Sequence, residues 1–293
     1  MFSLLKKTVV ALAVVITVAA AAVSPVDYLS AESDVYAFIN ASSLLQSKTL
    51  QQFIPMIEKE LQGSGVKVSD FEGELALGMN ISVENKNVMC NADLVFAFKN
   101  AVAKKLFDSI KKNDKEMTAA SVNGKPAIAD KDGRIILQAP DLLIAQVHAE
   151  GTKPFSVLTN KGKNPLKQVY SQIQKFDVVI FVNVENLLTK LQSFIPADDK
   201  EVMDVVAKVK VAYIFAKILS DDKYYLNLSV ECKSANDAES FAAFVRVLID
   251  TMAKDENLKP LLSKIKTKSA GARVSFEIFL DNKDFEMFKQ LAQ

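Results

Sequence analysis

The chain has 293 residues, 49% hydrophobic and 24% charged, which is enough apolar material for two ordinary domains with full cores. Its 36 basic and 35 acidic residues leave a net charge of +1, so the balance gives no sign of the clustered positive charge that holds nucleic acid. Eighteen Phe, six Tyr and no Trp make Phe the main core filler.

The N-terminus reads as a signal peptide spanning residues 1–22. Lys6 and Lys7 form its basic start, and Thr8–Ala22 (TVVALAVVITVAAAA) is an apolar run shorter than a membrane span. Ala20 and Ala22 fit an A-x-A site with cleavage before Val23, and no Cys follows that would carry a lipid. The expected location is therefore periplasmic or extracellular in a bacterium, the alternative being anchorage through an uncleaved N-terminal segment. Cys90 and Cys232 both fall on apolar faces of alternating strands and are expected to be buried thiols. A disulfide between them would have to join the two halves of the chain, and spacing alone does not decide it.

Residues 23–32 read as a linker and 33–152 as a first module. Strand Val35–Ile39 leads to Asn40, a candidate helix cap, and a helix with Leu50, Phe53, Ile54, Ile57 and Leu61 on one face, interrupted by Pro55. Gly63–Gly65 ends that helix. Glu74–Val83 alternates, turns at Glu84–Asn87 and returns as Val88–Lys99; Asn100–Lys112 is the second helix. Short strands follow around Ser121–Ala129, Arg134–Gln138 and Leu142–His148. Residues 153–175 form a connecting segment with a helix from Pro165 to Gln174.

The second module, 176–293, repeats the plan. Asp177–Pro196 (DVVIFVNVENLLTKLQSFIP) echoes Asp34–Pro55 (DVYAFINASSLLQSKTLQQFIP), with Asn183 as cap and Pro196 opening a further helix that carries Val202, Val205, Val206 and Val209. A hairpin spans Val209–Lys233. Ser234 or Asn236 caps a long helix with Ala238, Phe241, Ala242, Val245, Leu248, Ile249 and Met252 on one stripe. Asn257–Lys266 reads as a short helix, Val274–Ile278 as a strand and Asp281–Gln293 as a closing helix. The expected fold is α+β: an internal duplication giving two tandem ferredoxin-like-order (βαββαβ) modules, with antiparallel sheets covered by helices.

No catalytic, cofactor-binding or metal-binding residue stands out. The one histidine, His148, has no partner at ligand spacing and no G-x-S-x-G turn to serve. Asp130-Lys131-Asp132-Gly133 lacks the later acidic positions of a calcium loop and reads as a turn. Asp198-Asp199 and Asp221-Asp222 suit a helix start and a turn. Phosphate-cradling glycine motifs are missing.

Val182-Asn183 leading to Leu187, and Asp237-Ala238-Glu239-Ser240-Phe241 opening a later helix, resemble the pattern of exported bacterial proteins that carry tandem copies of a domain of unknown function. That resemblance implies an architecture and no activity. The first module departs from it, with Asn100-Ala101 in place of Asp237-Ala238. The functional expectation is an exported, non-enzymatic binding or scaffold protein of the bacterial cell envelope. Its partner would be an unknown envelope protein or an apolar ligand, with no nucleic acid. The alternatives are a periplasmic carrier of a lipid or other apolar ligand, and a hydrolase with an unrecognised acidic pair.

Overall fold

The structure is a computed structural model that describes residues 24–47, 51, 54–60, 67–68, 73–84, 87–98, 101–148, 164–194 and 200–284. The expected signal peptide, Gly63–Gly65, Asp198–Asp199 and most of the closing helix lie outside the described residues. The chain divides into two units, Met1–Asp177 and Val178–Gln293.

In the first unit, strand β1 (Val35–Asn40) is followed by helices α1 (Ala41–Gln46) and α2 (Ile54–Glu60). Strands β2 (Gly73–Glu84) and β3 (Asn87–Phe98) make a long hairpin, and α3 (Val102–Asn113) leads into β4 (Thr118–Val122), β5 (Lys125–Ala129), β6 (Gly133–Ala139) and β7 (Leu142–Val147). Two single turns, α4 (Pro165–Gln168) and α5 (Tyr170–Ile173), close the unit. The hydrogen-bonded order is β1-β2-β3-β7-β6-β5-β4. In the second unit, β8 (Val178–Asn183) precedes α6 (Val184–Leu191), α7 (Lys200–Val206) and the hairpin β9 (Val209–Ser220) and β10 (Lys223–Cys232). Helices α8 (Ala235–Met252) and α9 (Lys259–Leu262) then lead to β11 (Lys266–Ala270) and β12 (Arg273–Asp281), in the order β11-β12-β10-β9-β8.

This overturns the expected pair of ferredoxin-like modules. In a split βαβ unit the strands flanking the first helix run parallel. Here β1 pairs directly with β2, and β8 with β9, antiparallel in both cases. The cause lies in the linkers. A single helix carries the chain to the far end of a sheet, whereas a connection of several helical segments can return it to the end it left. Among the described residues the connection includes α1 and α2 in the first unit, and α6, a 3-10 turn at Gln192–Phe194 and α7 in the second. The sequence breaks at Pro55 and Pro196 hint at this division. Twelve strands in all are described, and every pairing within a unit is antiparallel.

Two strands escaped the sequence reading. Ser121–Ala129 is two strands joined at Asn123-Gly124, both with positive φ (49° and 76°), as a tight hairpin turn demands. The edge strand β11 (KTKSA) is polar and carries no alternating apolar signal.

The middle of the first unit's sheet is covered on both faces. On one side, Leu75, Leu94, Phe96, Phe98, Ile128 and Leu143 pack against Val102, Ala103, Leu106 and Phe107 of α3. On the other side, the expected 23–32 linker is itself a packing layer. Pro25–Tyr28 forms a 3-10 turn against β2 and β3, and Val26 and Leu29 are buried, as are Leu166 of α4 and Ile173 of α5.

The second unit packs more sparsely. Ser234 caps α8 by accepting from the Asp237 N–H at 3.1 Å. Ala238, Phe241, Ala242 and Val245 of α8 pack on Val209, Val230, Cys232, Val274 and Phe276. The expected apolar stripe continues to Leu248 and Met252, but these are 44% and 49% exposed. Cys90 corrects another expectation: it is exposed, while Cys232 is buried, and both thiols are free. Cys90 stands on the intended face of β3, but near a hairpin end where Val88 is exposed too.

Candidate functional site

Cross-strand register places side chains of the first sheet in straight rows on the face away from α3. One row is Phe38–Ala76–Val95–Ile144–Ile136, running across β1, β2, β3, β7 and β6. All five side chains are fully buried. The adjacent row, two residues along each strand, is Tyr36–Gly78–Asp93–Gln146–Arg134. A polar row thus lies beside a wholly apolar one, beneath the segment Leu29–Asp34.

The polar row is linked by hydrogen bonds. Gln146 Nε2 donates to Asp93 Oδ1 at 2.6 Å, and Arg134 Nε donates to Gln146 Oε1 at 2.6 Å. Asp93 has no exposed surface, and its Oδ2 has no hydrogen-bond partner among the described residues. Burial pushes the Asp93 carboxyl up to about 6; the Gln146 amide, the Ser30 backbone N–H and the Arg134 charge oppose the shift without cancelling it. At the other end, the Tyr36 hydroxyl accepts from the Ser33 N–H at 3.2 Å, and burial first of all pushes it up to about 12, so it stays neutral. Gly78 lies between them. A Cβ there would lie 2.7 Å from Ser33 Oγ, so the overlying segment fills the space of the missing side chain.

A second buried acid, Glu74, lies on the same face. It accepts from the Tyr170 hydroxyl, and burial raises its pKa against that hydrogen bond and one from Gln174. Glu74 pairs with Ala97, four residues along β3 from Asp93, which is roughly 13 Å at strand rise. That backbone spacing is wider than the about 5–10 Å between the two carboxyls of a glycosidase. Among the described residues no three His, Cys, Asp or Glu side chains gather as a metal site.

The residues weighed from sequence sit apart from this row. Asp130 Oδ1 accepts from the N–H groups of Asp132 and Gly133, both at 2.8 Å, so it closes the β5–β6 turn. His148 ends β7 half-buried, its backbone N–H bonded to the Asp132 carbonyl at 3.0 Å. Asp222 accepts from Ser220 in the β9–β10 turn. Asn183 caps α6 by accepting from the Asn186 N–H at 3.2 Å, whereas Asn40 makes no such bond to α1. Asp34, first residue of the repeated stretch, accepts from the Ile81 N–H at 2.7 Å. Sequence reading missed Asp93, Gln146 and Arg134. The available signal was β3 itself: NADLVFAF is apolar at consecutive positions, the mark of burial on both faces, with one acid inside it.

No protein-family model and no curated protein sequence matches the chain. Two crystal forms of the protein TP0453 match it in structure. Form III has a TM-score of 0.56 at 12% identity, covering 89% of this chain and 96% of that one. Form I has a TM-score of 0.55 at 13% identity, covering 92% and 98%. At such identity the likeness shows a shared fold alone. Among the described residues no helix is long and apolar enough to cross a membrane.

Proposed function

We propose that this chain is an exported, non-enzymatic binding or scaffold protein of the bacterial cell envelope, and that its second unit carries the docking surface. One observation carries the reading. Among the described residues, Phe194, Val202, Ile214, Leu219, Leu228, Val247, Leu248, Met252 and Phe279 are large apolar side chains left exposed in the second unit, against Val88 in the first. Scattered apolar residues are ordinary on a surface, but Val247, Leu248 and Met252 share the C-terminal half of one helix. The apolar N-terminal run supports export.

The test is capture from an envelope fraction by the full chain and by a variant carrying Val247→Ser, Leu248→Ser and Met252→Ser. The variant should melt within a few degrees of the wild type and lose a partner that the wild type retains. Equal capture by both would remove this surface from the proposal.

A carrier of an apolar ligand is the second reading, favoured by the helix-facing side of the second sheet. Val230 and Ala212 pack under α8, while Leu226 and Ile218 join the cluster of Tyr224, Leu261 and Leu280. Between these clusters, Leu228 and Ile214 are 36% and 39% exposed, leaving an apolar strip open. Mass spectrometry of an organic extract of the purified chain decides this reading; an extract free of lipid would remove it.

A further inference from the structure

Asp93 is fully buried at the middle of the polar row, and half of its acceptor capacity is unused among the described residues. An ionised carboxylate there keeps the Gln146 amide and the Ser30 N–H but has no donor at Oδ2 to replace water, and protonation removes the charge that burial penalises. The layer over Asp93 is the Leu29–Asp34 segment. Leu29, Ser30, Ser33 and Asp34 are buried there, the Ser30 N–H reaches Asp93, and Ser33 sits over Gly78, the cross-strand partner of Asp93. Lifting that segment hydrates the carboxyl and removes the reason for it to hold a proton.

We propose that the Tyr36–Gly78–Asp93–Gln146–Arg134 row is a proton-binding site: Asp93 takes up a proton from solvent as the Leu29–Asp34 segment closes over it, and loss of that proton releases the segment. The other charged or titratable groups around Asp93 are Arg134 on β6, Tyr36 on β1, and Glu32 and Asp34 in the overlying segment, with Asp27 and Tyr28 preceding it. His148 stands two residues beyond Gln146, just past the end of β7. The neighbouring strand β2 offers only Gly78 at this rung.

The direction follows from linkage. The closed form holds the carboxyl at about 6, above its ordinary 3.8. Closure is therefore strongest below the ordinary value and weakens as pH rises through about 6. For that pair of values the opening equilibrium grows on the order of 50-fold between pH 4 and pH 8.

Hydrogen–deuterium exchange of the Leu29–Asp34 amides in the full chain, corrected for intrinsic exchange, reads this directly. Protection should fall by tens of fold from pH 4 to pH 8 in the wild type and stay flat in Asp93→Asn, which keeps the side-chain volume. Gln146→Leu removes the amide that favours the ionised form, so its transition should move to higher pH. A flat wild-type profile overturns the proposal. So does an Asp93→Asn profile that keeps the wild-type slope, which would place the titration on another group.

Discussion

The two units follow one order of elements and finish it differently. Each runs strand, helical segments, hairpin and helix, and then returns by a meander whose last strand pairs with the third, β7 on β3 and β12 on β10. The first unit adds four strands in that meander and the second adds two. The first also lays Pro25–Tyr28, α4 and α5 over the sheet face that α3 leaves free, and there a whole row of side chains reaches zero exposure. The second leaves apolar groups part-covered on both its helix α8 and its sheet. One plan thus yields a unit built for closure and a unit with apolar surface to spare. The difference lies in the added layers, since the shared elements carry similar apolar patterns.

Phenylalanine truncation should separate the units most widely. Phe38 is fully buried and meets Tyr170 edge-on, with ring centroids 5.8 Å apart. Phe38→Ala should cost about 3–5 kcal/mol, the range for a closed core site. Phe241 of α8 is part-exposed, with Phe276 6.3 Å away, so Phe241→Ala should cost roughly 1–2 kcal/mol. Urea unfolding of both variants measures the pair. Equal losses would mean that the second core is as closed as the first.

The same contrast shows what the sequence made legible. Alternation located the hairpins β2–β3 and β9–β10 to within about two residues, because half-buried strands write their pattern locally. The sheet topology was less legible, since the path of the helical connection between strands decides parallel or antiparallel return, and Pro55 and Pro196 permit either reading. Asn123-Gly124 was a readable turn signal that the run of small residues around it obscured. Candidate site residues were the least legible. Val88, Cys90, Ala92 and Leu94 draw attention to one face of β3, while Asp93 belongs to the other, and its partner Gln146 lies 53 residues away. Nothing local joins those two until β3 and β7 pair.

The overlying layer of the first unit can be loosened at a single atom. Tyr170→Phe removes the hydroxyl that donates to buried Glu74 and should cost about 1–2 kcal/mol at pH 8. The raised Glu74 pKa fixes the sign: the folded state favours the neutral acid, and that contribution is lost as pH rises through the folded value. Removing a donor that serves the carboxylate therefore hurts most where Glu74 is ionised, and the loss should shrink toward pH 4. Thermal melts at the two pH values test this, and an equal loss at both would show that the hydroxyl serves packing instead.

The smallest effect concerns the repeated stretch itself. Asn183 and Asn40 occupy matching places, each ending a strand before a helix. Asn183 accepts from the Asn186 N–H and so satisfies a helix-start donor, while the Asn40 side-chain oxygen is buried without a hydrogen-bond partner among the described residues and its backbone N–H donates to the Asp177 carbonyl at 2.7 Å. Asn183→Ala should therefore cost about 1 kcal/mol, as loss of a working cap does. Asn40→Ala discards an oxygen that already lacks a partner, so it should cost only a few tenths of a kcal/mol or raise stability slightly. Chemical denaturation of the two single variants gives the comparison. If Asn40→Ala proves the costlier change, the matched asparagines do the same job in both units, and the difference between the units begins at their first helix.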